Sequence, residues 1–189
     1  MSNVQVAREP VLGDLVRSQL MLFGGLILCM AIRPEGLGAN SGISYYGVHR
    51  QTVIPYTIGL LGTAWLTQRA LRAAGRSWFG YGFGLLTTGI VLTPYTVSDL
   101  FDWTHTLLGA ALFILMLVLS GRLTWALRFD PLCVLLLVTE FTGGVIAAIY
   151  VLPVRGFLIQ GQLLFLAAFE ALLLRALKRT GAAASAQAG

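Results

Sequence analysis

Residues 131–152 read PLCVLLLVTEFTGGVIAAIYVL, and this run settles the class of fold. Its side chains are apolar or small except for Glu140, Thr139 and Thr142. As a helix rising about 1.5 Å per residue it spans roughly 33 Å, enough to cross a hydrocarbon core about 30 Å thick. Comparable runs cover Leu15 to Ile32, Val53 to Leu71, Trp78 to Tyr95, Trp103 to Ser120 and Phe157 to Leu177. Polar or Gly/Pro-rich punctuation separates several of them: RPEGLGANSG after the first, RAAGRS after the second, GRLTWALRFD after the fourth and LPVRG after the fifth. The chain therefore reads as an all-α transmembrane bundle of six helices. Residues 1–179 form one domain, and the small, polar tail TGAAASAQAG, residues 180–189, is expected to be disordered.

Composition agrees. Of 189 residues, 57% are hydrophobic and 11% charged, and the mean hydropathy is +0.79; ordinary soluble domains are about a quarter charged. A soluble globule is excluded on that contrast. The net charge of +5 does not point to nucleic acid, because the basic residues sit between apolar spans with no basic patch interleaved with aromatics. The start, MSNVQVAREPVLGDLVRSQ, lacks the charged, apolar and small-residue succession of a cleaved signal peptide. The first span is expected to act as an uncleaved insertion signal. Cys29 and Cys133 fall in opposite leaflets and read as separate buried thiols.

Basic residues also orient the bundle. With the N-terminus inside, one side carries Arg8, Arg17, Arg69, Arg72, Arg76, Arg122, Arg128, Arg175, Lys178 and Arg179, while the other carries only Arg33, Arg50 and Arg155. The positive-inside rule then places both termini in the cytoplasm, and the protein in the plasma (inner) membrane. Both histidines, His49 and His105, fall on the outer side.

The stretch TPYTVSDLFDWTHT, residues 93–106, brings Asp99, Asp102 and His105 together at three-residue steps. On a helix these side chains spread over roughly a 120° arc and could converge on one ligand, as oxygen and nitrogen donors or as an acid/base pair. Capping is the competing reading. Thr96 with Asp99 three residues on, or Ser98 directly, could cap a helix whose positive end favours acids in its first turn. In the first outer loop, Tyr45 and Tyr46 suit a membrane interface, and His49 with Arg50 could close over the SDLFDWTH segment, with Arg50 pairing an aspartate or an anionic headgroup. Within the membrane, Glu140 lies near mid-bilayer and is a functional candidate by default, and Glu170 is a weaker one. Gly80 and Gly84 in GYGFG, with TGG at Thr142 to Gly144, read as helix-packing contacts. No zinc-site spacing and no GxSxG elbow occurs, so neither a metal nor a cofactor is predicted.

The order of these features resembles a known family. A first span, the loop NSGISYYG, a second span, a third span ending at PYTVSDLFDWTH and a fourth beginning at that histidine are similar in layout to a bacterial six-span membrane family catalogued as a domain of unknown function. That family is distantly similar to the Frag/DRAM/Sfk group. His105 matches a histidine at the start of the family's fourth span, while Tyr45 stands where its loop pattern has an acidic residue. The resemblance implies a six-helix bundle and a role in membrane lipid organisation or as an accessory to other membrane proteins.

Three functions are compatible with these residues. The first is a non-catalytic membrane protein with an outward polar pocket formed by His49, Arg50, Asp99, Asp102 and His105, binding lipid headgroups or a small ligand or docking as an accessory subunit. The second is a metal-dependent lipid hydrolase or transferase built on His49, Asp99, Asp102 and His105. The third is a small proton-coupled transporter using Glu140. The expected partners are membrane lipids and other membrane-protein subunits, not nucleic acid.

Topology is directly testable. In a chain freed of Cys29 and Cys133, a cysteine placed at Asn40 should react with an impermeant thiol reagent added to intact cells, and protection there would reverse the orientation.

Overall fold

A computed structural model of the chain describes residues 8–38, 42–151 and 157–186. Among these residues six α-helices follow one another: α1 (Arg8–Ile32), α2 (Val53–Ala73), α3 (Ser77–Leu92), α4 (Asp99–Ala126), α5 (Pro131–Val151) and α6 (Leu158–Ala186). Two 3₁₀ turns, Pro34–Gly38 and Gly42–Gly47, build the long connection between α1 and α2. No strand occurs among the described residues.

The protein is a helical bundle embedded in a membrane. Helices α1, α4, α5 and α6 are each long and apolar enough to cross one. The other two are lesser elements: α3 has 16 residues, and α2 ends in Gln68, Arg69 and Arg72. Polarity is distributed inside out. Leu20, Ile27, Leu85, Ile114, Leu135 and Phe141 are exposed, whereas Thr63, Thr67, Thr87, Ser120, Glu140 and Glu170 are buried. In water this would waste apolar surface; in hydrocarbon it lets helices seek polar partners inward. Trp78, Trp103 and Trp125 stand exposed near helix ends, as amphipathic rings do at a bilayer interface.

Helix boundaries follow local chemistry. Thr93 precedes Pro94, whose ring disfavours helical backbone before it, so α3 stops at Leu92 rather than at Tyr95. Ser98 caps α4, its hydroxyl accepting from the Phe101 amide at 3.3 Å. Asp99 thus opens a helix that starts earlier, and ends later, than hydropathy alone suggested. At α5, Asp130 accepts from the Cys133 amide at 3.3 Å, with Pro131 in the first helical position. Helix α6 continues to Ala186, over most of the segment read as a disordered tail, because alanine favours helix strongly.

Glycines set the helix spacing. A Cβ on Gly143 would lie 2.5 Å from the Phe165 amide nitrogen, and one on Gly161 would lie 2.6 Å from that of Ala147, so α5 and α6 touch backbone to backbone. Helices α1 and α2 meet similarly: a Cβ on Gly25 would stand 3.2 Å from the Gly59 Cα. Gly80 and Gly84 fit α3 against Gln68 of α2, and at Gly84 the obstacle is only the Gln68 side chain. The predicted glycines are thus packing glycines, joined by three that the spacing did not single out.

Ion pairs tie the basic-rich end. Asp14 of α1 meets Arg69 of α2 at 3.3 Å, and Asp130 meets Arg175 of α6 at 3.2 Å. Burial alone would push the Asp130 carboxyl up. The hydrogen bonds from Arg175 and the Cys133 amide, with the Arg175 and Arg179 charges, outweigh that and hold it below its ordinary range.

Gly143→Ala should lower the melting temperature in detergent more than Gly84→Ala, by an amount equivalent to about 1–3 kcal/mol, because backbone cannot step aside as a glutamine side chain can. Gly121, with open space at its Cβ position, is the control, and Gly121→Ala should be neutral or stabilising. Equal thermal shifts in all three variants would refute backbone contact between α5 and α6.

Candidate functional site

Helix α4 packs mainly on α3 and makes only sparse contact with α5 and α6. The gap holds a cavity of about 700 Å³, within the roughly 300–1,000 Å³ range of ligand pockets. Its rim, at the end of the bundle poor in basic residues, is formed by Ser44, Tyr95, Asp102, His105 and Gln162. Its walls are mostly apolar, with Leu22, Leu60, Phe83, Phe113, Met116 and Leu166 among them. At its deep end lies Glu170, two helical turns and about 12 Å below Gln162 along α6.

His105 organises the rim. Its Nδ1 faces two carbonyl oxygens, Thr93 at 2.8 Å and Ile90 at 3.1 Å. Carbonyls only accept, so Nδ1 carries the proton. In the neutral ring Nε2 then accepts from the Ser44 hydroxyl at 2.7 Å. One side chain thus joins α4, the end of α3 and the loop after α1. Those two carbonyls lie where α3 ends, and the histidine donates where an intrahelical amide otherwise would.

Gln162 fixes the loop from the other side. Its carboxamide oxygen accepts from the Ile43 amide at 2.8 Å. Gly42, at φ +59°, turns the chain there in the left-handed region, and a Cβ would collide with the Gln162 carboxamide. Thr52 closes the loop's far end by donating to the Tyr46 carbonyl at 2.8 Å. Ser44 therefore reaches the rim on a segment held at both ends.

The sequence candidates separate into two groups. Asp102 and His105 share the cavity rim, but Asp99, exposed in the first turn of α4, does not line it. The loop does close over the start of α4, through Ser44 rather than through His49 and Arg50. His49 is turned back on its own loop, its Nδ1 donating to the Tyr45 carbonyl at 2.6 Å and its ring lying 4.0 Å from the Tyr45 ring. Arg50 is exposed and forms no ion pair with an aspartate among the described residues. Glu140 is fully buried beside Ser120 of α4, away from the cavity lining. Glu170, the weaker candidate in sequence, is the acid that the cavity reaches. Among the described residues no three of His, Cys, Asp or Glu are grouped to hold a metal ion.

Ser44, Gln162, Tyr56 and Thr87 were missed. Only Gln162 carried a signal, as one of two amides, with Gln160, within an apolar span. Three buried atoms on the cavity lining, the Tyr56 hydroxyl, Thr87 Oγ1 and Glu170 Oε2, find no hydrogen-bond partner in the protein. Such atoms are costly unless something satisfies them.

No known protein family matches the chain, and neither does any curated protein or solved structure.

The bond between His105 and Ser44 should be measurable as coupling. Ser44→Ala and His105→Ala should each destabilise the protein in detergent, and the double variant should lose less than the sum by roughly 1 kcal/mol. Asp99→Asn combined with His105→Ala should instead add within a few tenths of a kcal/mol. Strict additivity in the Ser44–His105 cycle would dissolve the rim described above.

Proposed function

We propose that the protein is a non-catalytic, multi-pass protein of the plasma membrane whose outward-facing cavity binds an amphiphile dissolved in the bilayer. The cavity carries this reading: polar groups gather at one end, apolar walls follow for more than a helical turn, and three orphaned polar atoms lie along it. An amphiphile meets both demands at once, burying its apolar body while its polar groups satisfy the lining.

Access from the bilayer is supported by which lining residues are exposed. Thr106 and Ala110 of α4 and Ala148 of α5 line the cavity and are also exposed. They are small, and they sit where α4 and α5 stand apart. A molecule partitioned into the membrane could pass there without first entering water. Orientation follows from the basic residues gathered at the end opposite the rim, which put both termini in the cytoplasm and the rim outside. Membrane lipids are the expected partners, and the exposed apolar flanks leave room for other membrane subunits.

Catalysis is not part of this reading. The rim does pair a hydroxyl with a base, Ser44 donating to His105 Nε2 at 2.7 Å, but in this reading the pair ties the loop to α4 and to the end of α3, where the same ring donates to the Thr93 and Ile90 carbonyls.

Gly109 lines the cavity with open space at its Cβ position, so Gly109→Phe should fill the cavity without disturbing the backbone. Native mass spectrometry of protein extracted in mild detergent should show a co-purifying amphiphile on the parent chain. Occupancy should fall at least tenfold in Gly109→Phe, at an unchanged melting temperature. A parent chain carrying no amphiphile, or equal occupancy in the variant, would defeat the proposal.

A further inference from the structure

We infer that the cavity selects lipophilic organic cations, with Glu170 as the counter-ion and the aromatic walls as the envelope of the charge. This inference rests on the amphiphile-binding reading and names its ligand class.

Charge around the cavity is one-sided. Its lining contains two carboxylate residues, Asp102 at the rim and Glu170 at the deep end, and no lysine or arginine. Described basic side chains that form ion pairs do so elsewhere: Arg69 and Arg17 on Asp14, Arg175 and Arg179 on Asp130, Arg33 on Glu35. An anionic phosphate headgroup entering the cavity would meet acids with no cation to offset them. The chemistry therefore disfavours an ordinary anionic lipid and favours a ligand of opposite sign.

Glu170 is the decisive group. It is 2% exposed, lines the cavity, and its Oε2 has no hydrogen-bond partner. Gln19 of α1 lies beside it, donating to the Glu170 backbone carbonyl at 3.4 Å and neighbouring the carboxyl group, while Oε2 is left without a partner. Carboxyl groups at this depth are costly without a partner, and a cation delivered in an apolar shell is such a partner.

The walls suit a diffuse cation rather than a compact ammonium. Tyr56, Phe83, Tyr95 and Phe113 all line the cavity, and aromatic faces attract organic cations most when water is excluded. Phe83 and Phe113 are each held by stacking on α6, against Phe169 at 6.2 Å and Phe165 at 4.2 Å between ring centroids. Their positions are thereby fixed without a ligand. A cation that carries its charge inside aromatic or alkyl groups can cross the small-residue gap between α4 and α5, whereas a hydrated ammonium pays heavily to do so.

Tetraphenylphosphonium and tetraphenylborate test the idea, being close in size and shape and opposite in charge. With the full chain in lipid nanodiscs, labelled tetraphenylphosphonium should bind saturably at one per protein, whereas labelled tetraphenylborate, titrated into a separate sample because the two ions pair with each other, should show no saturable binding. Glu170→Gln should weaken binding at least tenfold, Glu170→Asp should recover part of it, and Glu140→Gln, which alters an acid outside the cavity, should leave it unchanged. Saturable binding of the borate with equal affinity, or full phosphonium affinity in Glu170→Gln, overturns the inference. An amphiphile that co-purifies with the parent chain and is not displaced by tetraphenylphosphonium also overturns it, while the amphiphile reading stands. Absence of any bound molecule in both experiments removes both.

Discussion

Close approach of helix backbones at glycine is the constraint from which the rest of this structure follows. Lipid tails are as apolar as leucine, so burying apolar side chains does little to draw helices together within a membrane; contact surface and hydrogen bonds must do it. Gly25 against Gly59 brings α1 to α2, and Gly143 against Gly161 brings α5 to α6. Helix α4 has no equivalent. Its Gly109 and Gly121 face open space, and its contacts with α3 are made by side chains, Leu108 on Gly89 and Leu115 on Gly82. Four helices are thus fixed as tight pairs while a fifth stands off, and the cavity is the space that this inequality leaves.

Polar contacts at the two ends then determine what kind of space it is. At the basic-rich end Asp14 and Asp130 bind neighbouring helices through arginines, and the turn after α4 is tight enough to place Arg128 and Phe129 at positive φ. At the other end His105 and Gln162 hold the loop over the cavity rim. Helix α4 is consequently tied near its start through His105 and buried over its second half, from Leu112 to Thr124, with the stretch between them the least covered. A small-residue gap towards lipid lies along that middle stretch.

Much of this could be read from the residues alone, and what could not has a common cause. The helical, membrane-embedded class, the packing role of Gly80 and Gly84, and the alternative of Ser98 as a cap depended on periodicity or on residues within one turn, which sequence displays directly; of the six runs read as spans, four are helices long and apolar enough to cross a membrane. Which acid meets the cavity depended on which face of α5 or α6 turns inward between helices distant in sequence. Glu140 and Glu170 look alike in their spans, yet one lies beside Ser120 and the other opens on the cavity. The same limit applied to the loop between α1 and α2. His49 and Ser44 are five residues apart, and the 3₁₀ turn between them decided which one faces α4. Gly42 was visible in sequence, but its left-handed turn beneath Gln162 needed the partner helix to give it meaning.

The hydrogen bond between His105 and Ser44 has a directional property. Because Nδ1 donates to the Thr93 and Ile90 carbonyls, Nε2 is left as the acceptor of the neutral ring, and the Ser44 hydroxyl spends its proton there. The serine oxygen can then offer only lone pairs to the cavity. The rim is therefore an acceptor surface at that point, a property set not by the serine itself but by where two carbonyls at the end of α3 place the imidazole proton.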